Sequence, residues 1–598
     1  MRGSDEVFSP VPLAASSRRY AQLYSAAGGL DTGVDATLLE DGKAAELRNF
    51  HIKDGVLQSR EALVKTAVEA PPGDLHARIA FDGAVYFHIG TGLYRFDGET
   101  FTPSAVSFPD APSAFVIFDG LLYLYAATHV YTVRPGEDAK EVIPACPMYC
   151  DSVHADGSIT SVRTDFKPNI LAPYVTMRYI ENASLGAVGF PMNMDRSRLY
   201  RLYVGDVPLT EDDYTIEPSG RFRLKQQAVD IGGKVSIRCY ITTPEADKTA
   251  LTNGCTLAAA FGGGVVSGTR VILSGNPAAK GMYFVSALAD PLLFLEADSN
   301  TVGNGLENVT ALYEQQAYLI FFTQTRVIRM RYAYDSEHGG YFSLAPLSTD
   351  VGCICPASVA AVGDRTVFAS HGGIYAVDTL TTFDRMSVVP LSQNVNGGAD
   401  GYAALTEDDL LHGCAVETGD KYVFFVNGGA FVWDHGLQGY VRSSDLMKAQ
   451  KQLAWFRYDG LRSGEAFLFG GAVYLLSPDG EAPVLYRFGG EGEAVPFEAV
   501  YRCGETVFGS PHVKKAVTGF RTVCRIACGK AVKVEFFADG KPYHAVTRVL
   551  NPKADGNAAL AVKLPRHPLT RFAFRLSAAD GGVGFFETRV DYVLLKGK

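Results

Sequence analysis

One phrase returns along this chain and limits what it can become. It is an apolar run, a short centre rich in Gly, Asn, Thr or Ser, and a second apolar run. It reads VYFHIGTGLYRFD from Val85, LYLYAATHVYTVR from Leu122, YVFFVNGGAFVWD from Tyr422 and AFLFGGAVYLLS from Ala466. Between them, RVILSGNPAAKGMYFVS, AYLIFFTQTRVIRMR and RTVFASHGGIYAVD fall within the stretch from Arg270 to Asp378. Two apolar runs around a turn-forming centre are the mark of an antiparallel hairpin. The starting points Val85, Leu122, Val271, Leu319, Thr366, Tyr422 and Ala466 are mostly spaced by about 37 to 56 residues, a period of propeller blades. The interval from Leu122 to Val271 is too long and must hold an insertion.

The expected fold is therefore all-β: a β-propeller of six to seven blades, with an inserted small β-sandwich and a C-terminal β-sandwich. At 598 residues the chain exceeds one compact core. Sixty-two Gly and 66 Tyr plus Phe suit a turn-rich, strand-rich protein. The regularly placed Tyr86, Tyr94, Tyr123, Tyr131, Tyr375 and Tyr474 are expected to pack between blades.

The division reads as an N-terminal arm over 1–27, with a short helix possible in its second half, then the first part of the propeller over 28–145. An inserted sandwich covers 146–250 and the remaining blades 251–488. A Gly/Glu/Pro linker, GGEGEAVPF, covers 489–497, and the C-terminal sandwich 498–598. Within 28–63, the stretch 38–49 reads as a turn or short helix. Asp54-Gly55 between apolar runs reads as a hairpin turn, and a strand from that hairpin is expected to pair near residues 474–488 and close the ring.

The formal net charge is −10 and no long basic run occurs, so a surface that grips nucleic acid by its phosphates is not expected. The N-terminus lacks the apolar core of a secretory signal, and no apolar run is long enough for a membrane-spanning helix. The ten Cys, including Cys146/Cys150, Cys353/Cys355 and Cys524/Cys528, lack paired metal-site spacing and are expected as structural thiols.

Chemistry-bearing motifs are scarce. No phosphate-binding loop, H-E-x-x-H or G-x-S-x-G occurs. His338, His371 and His435 each precede Gly and read as turn residues. Two acidic triplets, Glu211-Asp212-Asp213 and Glu407-Asp408-Asp409, each follow Thr. Paired carboxylates serve glycoside hydrolysis, but consecutive residues cannot face each other across a substrate. These six are candidate interaction loops and otherwise turn or helix-start acids. No catalytic, metal or cofactor-binding residue is assigned, and no cofactor is expected.

The opening of the chain resembles phage tail proteins of the nozzle, tail-tubular or packaged-DNA-stabilisation kind. The resemblance rests on Gly29, Asp31, Leu39, Gly42, Asn49, Gly55, Leu57 and Arg60. It extends to SGNPAAKGMYFVSALADPLLF, NVTALYEQQAYLIFFTQTRVIRM and VGCICPASVAAVGDRTVFASHGGIYAVD. The insertion, through Val204, Gly205, Leu209, Asp213, Tyr214, Ile216, Gly233, Val235 and Ile237, resembles small β-modules of phage tail and fibre proteins. The resemblance implies a non-enzymatic virion protein assembled in the host cytoplasm: a homohexameric ring that extends the DNA conduit and helps retain the packaged genome. Its partners would be portal-side adaptor proteins, tail fibres or tip proteins, and DNA passing without sequence-specific binding; no membrane insertion of its own is expected. Two alternatives are a receptor- or glycan-binding propeller of the tail tip and a polysaccharide-acting propeller enzyme.

Overall fold

In the computed structural model the described residues are 19–24, 28–40, 42–153, 159, 161–172, 174–182, 190–191, 199–204, 207–216, 218, 221–224, 234–242, 252–262, 269–337, 339–380, 385–397, 404–437, 453–478, 483–579 and 581–595. Strands dominate, and they form the expected propeller. Blade one is Leu75–Phe81, Ala84–Ile89, Gly92–Phe96 and Phe101–Pro103; blade two is Ser113–Phe118, Leu121–Ala126, His129–Val133 and Lys140–Val142. Blade three is Leu257–Ala260, Val271–Ser274, Met282–Ala287 and Asp290–Thr301. Blade four is Val309–Gln315, Tyr318–Thr323, Val327–Asp335 and Gly339–Ser348; blade five is Cys355–Val362, Arg365–Ser370, Gly373–Leu380 and Arg385–Pro390. The last blade has Glu465–Phe469, Ala472–Ser477 and Val484–Phe488, completed by Leu63–Glu69 from near the N-terminus. These six are sheets of their own. A seventh four-strand meander, Cys414–Glu417, Lys421–Val426, Gly429–Asp434 and Trp455–Asp459, stands between blade five and the last blade, and its sheet continues beyond the propeller. It is blade six below, and the last is blade seven.

The turns explain why these sequences fold as hairpins. Asp82-Gly83 and Asp119-Gly120 both place Asp and Gly at positive φ (49° and 69°, 49° and 72°). Such turns match the right-handed twist of the flanking strands, and Asp and Gly tolerate that backbone better than other residues. The middle strands are apolar on both faces because a neighbouring blade covers each: Tyr318–Thr323 and Gly429–Asp434 are buried throughout.

Aromatic and polar contacts stitch the blades together. Phe96 of blade one meets Phe467 and Tyr474 of blade seven at 5.5 and 5.3 Å. Tyr283 meets Phe321 across blades three and four at 5.4 Å, and Phe322 meets Phe368 across four and five at 4.8 Å. Buried hydroxyls find carbonyls in the next blade: Tyr125 donates to Pro291 O and Tyr422 to Ser358 O, at 2.9 and 2.8 Å. Of the six tyrosines expected between blades, Tyr86, Tyr123, Tyr131 and Tyr474 are buried, and Tyr94 and Tyr375 are half-buried.

The ring closes one strand later than expected. Leu63–Glu69 pairs antiparallel with Val484–Phe488, whereas the hairpin of Phe50–Lys53 and Val56–Ser59 joins the C-terminal sandwich through Val583–Phe585. Both segments are apolar and adjacent, so the pattern alone does not choose between them. Closure removes the exposed edge of the sheet. The expected linker 489–497 is docked: Glu493–Ala494 adds a short strand beside Leu63–Glu69.

The C-terminal sandwich draws on both ends of the chain. One sheet joins Arg19–Tyr24, Thr588–Leu594, Lys515–Ile526, Val583–Phe585 and the 50–59 hairpin, with Asn557–Lys563 on the far side of Lys515–Ile526. The other runs Lys541–Val549, Ala531–Ala538, Phe572–Ala579, Glu498–Cys503 and Ala44–Arg48, and continues through Trp455–Asp459 into blade six. Phe520 fills the space between them, 5.3 Å from Phe536 and 5.0 Å from Phe574. Two local expectations are corrected here. Residues 19–24, expected as arm or helix, form a strand on Thr588–Leu594. The stretch 38–49, expected as turn or helix, holds the strand Ala44–Arg48. In each case a partner far along the chain overrides a weak local preference.

Between blades two and three, Met148–Val153, Tyr174–Asn182, Lys234–Thr242, Leu199–Val204 and Val207–Leu209 form one sheet. Phe190–Pro191, Arg221–Leu224 and Tyr214–Ile216 form a second. Gly205 and Gly233, named in the resemblance to small β-modules, lie outside the described residues, as does His338.

Candidate functional site

The six acidic candidates are not brought together. Asp213 accepts from the backbone N–H and hydroxyl of Thr210 at 2.8 and 2.6 Å, which closes a turn of the inserted domain and leaves Glu211 and Asp212 exposed. Glu407, Asp408 and Asp409 open the short helix Glu407–His412 between blades five and six. Thr406 caps that helix, and Asp409 returns the contact to the Thr406 N–H at 3.0 Å. Glu407 pairs with His371, and Asp408 lies 3.2 Å from His412. Both triplets thus hold local structure. Carboxylates suit a helix start because the first N–H groups and the helix dipole attract negative charge.

The thiols are structural in surroundings. Among the described residues nine cysteines carry free thiols, seven of them buried. Burial pushes Cys353 and Cys414 up to about 12, far from the thiolate needed for nucleophilic work. Among the described residues no group of three or more His, Cys, Asp or Glu could hold a metal ion, and no helix is long and apolar enough to cross a membrane.

A cavity of about 580 Å³ lies where blade six, blade seven and the 50–59 hairpin meet. The hairpin supplies His51, Lys53 and Gln58; blade six supplies Asp420, Lys421, Asp434 and Tyr458; Val473 and Phe488 come from blade seven. Asp434 ends a strand buried at every position, and its own side chain is 3% exposed. The Leu437 N–H donates to its Oδ1 at 3.0 Å. Lys421 donates to Asp420, and its Nζ stands 3.8 Å from Asp434 Oδ2. The Tyr458 hydroxyl lies 3.4 Å from His51 Nδ1.

The electrostatics follow from burial. Burial, then Lys421 and Lys53, lower His51 to about 4, so the imidazole is neutral at pH 7. Burial raises Asp434 against the pull of Lys421. Burial also acts to raise Asp420, but hydrogen bonds from Lys421 and Thr418 outweigh it and hold that carboxyl below its ordinary value. The site therefore offers the Lys421 ammonium between two carboxylates, a second ammonium at Lys53, a neutral imidazole, a phenol and an apolar wall, with Asp54, Arg60 and Glu61 also on its lining. None of these residues was singled out from sequence. The available signal was Asp434, a lone charge closing the otherwise apolar run YVFFVNGGAFVWD. A smaller cavity of about 290 Å³ lies on the outer strands of blade four, where Arg329 sits over the Tyr318 ring at 4.9 Å.

No protein-family profile matches the chain, and no curated protein matches it. Similar solved structures include dihydro-heme d1 dehydrogenase NirN in complex with DHE, 11% identical over 86% of this chain and 78% of that one, TM-score 0.27. Kluyveromyces lactis Hsv2 is 8% identical over 83% and 99%, TM-score 0.31. The exo-β-1,3-galactanase from Phanerochaete chrysosporium is 10% identical over 80% and 95%, TM-score 0.15. Likeness at this level carries no argument about activity. The chain is a β-propeller protein, and that statement rests on its own strand pairing.

Proposed function

We propose that the chain is a structural protein of a bacteriophage tail. In this reading copies assemble as a nozzle-like ring, expected to be hexameric, that extends the DNA conduit and helps retain the packaged genome. The observation that carries the reading is the continuous sheet from blade six through Trp455–Asp459 and Ala44–Arg48 into the C-terminal sandwich. The sheet crosses the junction at the pair Arg48 and Arg457, and Arg19–Tyr24 is paired with Thr588–Leu594 in the same sandwich, an arrangement that suits a stiff coupling of propeller and sandwich. Asn49 and Arg60, two of the residues on which the resemblance to tail proteins rests, sit at that junction, which supports the same reading.

A heterologous contact repeated by rotation closes into a ring, with the inserted domain and the sandwich as surfaces for neighbours, adaptor proteins and fibres. Neighbouring inner strands of adjacent blades approach within 8 Å, too tight a circle for a double helix. The conduit in this proposal is therefore the axis of the assembled ring and not the axis of each propeller. A net charge of −10 per chain suits a wall that DNA slides past.

The test is the assembly state of the full-length protein by light scattering and electron-microscopic class averages, alone and mixed with the tail adaptor. Six-fold rings are expected. A monomer under both conditions at high concentration would overturn the proposal.

A further inference from the structure

We propose that the cavity between the 50–59 hairpin and blade six binds one neutral sugar unit, a pyranose or similar polyol, with Lys421 and Asp434 holding a single hydroxyl. The inference does not depend on ring assembly, because every wall of the cavity comes from one chain.

Four observations select the ligand class. The Lys421 Nζ to Asp434 Oδ2 distance of 3.8 Å is an ion pair too long for a direct hydrogen bond. One oxygen that accepts from the ammonium and donates to the carboxylate bridges it, and a hydroxyl is the group that does both. Among the other polar groups of the lining, neutral His51, Tyr458 and Gln58 pair with hydroxyls in either sense, and Lys53 donates to them. Phe425, Val473 and Phe488 give an apolar surface for the C–H face of a ring. The volume, about 580 Å³, lies in the range of small-molecule sites.

The charges disfavour the obvious competitors. An anion would meet Asp420 and Asp434, with Lys421 already engaged between them and Arg60 held by Asn49, Glu61 and Asp459, so that Lys53 is the cation left to it, and the anionic controls below test that contact. A divalent cation would have to displace that ammonium, and among the described residues no three metal-ligating side chains gather.

The experiment is calorimetric titration of the full-length protein with glucose, galactose, N-acetylglucosamine, rhamnose and maltose, with sodium acetate and phosphate as anionic controls. Millimolar or tighter binding of at least one sugar is expected, weakened tenfold or more by Asp434→Asn and by Lys421→Met, with thermal melts reporting the fold. If either variant melts markedly lower, Gln58→Ala serves as the variant that leaves the buried ion pair intact, and a threefold or greater loss is expected. No sugar bound at 50-fold-higher concentrations, binding untouched by all three changes, or binding of the anions alone would each overturn the proposal.

Discussion

The guanidinium of Arg60 donates from Nε to the side-chain oxygen of Asn49 at 2.8 Å, with both residues buried. That oxygen also accepts from the Asp459 N–H at 2.8 Å, while the Asn49 amide donates to Glu498 O at 2.8 Å. Arg60 reaches Glu61 O and Asp459 O with its other nitrogens and lies 3.9 Å over the Phe497 ring. One pair therefore ties the hairpin, blade six and the first strand of the sandwich. Asn49 sits at φ 59°, a left-handed backbone that Asn adopts more readily than most residues.

Arg60→Met is expected to cost roughly 3 kcal/mol in urea denaturation, because it leaves buried acceptors unpaired. Arg60→Lys recovers only part, since an ammonium cannot reproduce the planar fork. Combining Arg60→Met with Asn49→Ala should cost clearly less than the sum of the two, as partners in one network do. Full additivity would show that the two residues act separately.

Acid should loosen the interface of blades one and two. His88 is fully buried, with Nδ1 2.7 Å from the Ser113 hydroxyl, and its ring stands 4.9 Å from His76 and 5.8 Å from Phe108. His76 in turn meets Asp110 at 2.7 Å. Burial, then the neighbouring His76, lower His88 to about 4, from 6.5. Between those values the unfolded chain binds more protons than the folded one, so stability rises with pH across the window and is lost on acidification through it. The loss attributable to His88 is about 3 kcal/mol at most, and His51, lowered in the same way, adds a similar amount. The stability difference between wild type and His88→Gln should therefore shrink as pH falls from 7.5 to 5. Parallel curves would contradict this.

The acidic triplet before blade six should matter through its cap alone. Thr406→Ala is expected to cost about 1 kcal/mol by removing the capping box. Glu407→Gln and Asp408→Asn should stay within about 0.5 kcal/mol of wild type, since both are exposed and pair with exposed histidines. Chemical denaturation of the three variants separates these outcomes. A Glu407 or Asp408 effect larger than that of Thr406 would give those carboxylates a role beyond the helix start.

What the sequence disclosed follows from the range of the interactions concerned. The hairpin at Asp54-Gly55 was legible because turn and flanking strands lie within a few residues, and positive φ demands particular side chains. The strand Arg19–Tyr24 was not, because RYAQLY has no strict alternation and its partner, Thr588–Leu594, lies at the other end of the chain. The cavity was illegible for the same reason: His51 and Asp434 are strangers in sequence, joined only when the 50–59 hairpin folds onto blade six. Asn49 and Arg60 could be marked as motif residues, but their hydrogen-bond partners Asp459 and Glu498 could not.

Closure of the ring by Leu63–Glu69 gives the sharpest test of the architecture. Val64 is 4% exposed and has strand partners on both sides, Arg487 in blade seven and Ala494 beyond it. The flanking bonds, Gly489 N–H to Ala62 O at 2.9 Å and Val495 N–H to Leu63 O at 2.8 Å, hold the same register. Proline at 64 removes an N–H from the middle of this sheet and forces its ring between two paired neighbours, so a loss of about 3 kcal/mol or more is expected. Val64→Ile keeps the N–H and nearly the volume, and should stay within about 1.5 kcal/mol of wild type. Denaturant titration measures both, and limited proteolysis should cut Val64→Pro near the junction of blades seven and one, where opening exposes the edges of Val484–Phe488 and Glu493–Ala494. A Val64→Pro protein as stable as Val64→Ile would mean that another segment closes the ring.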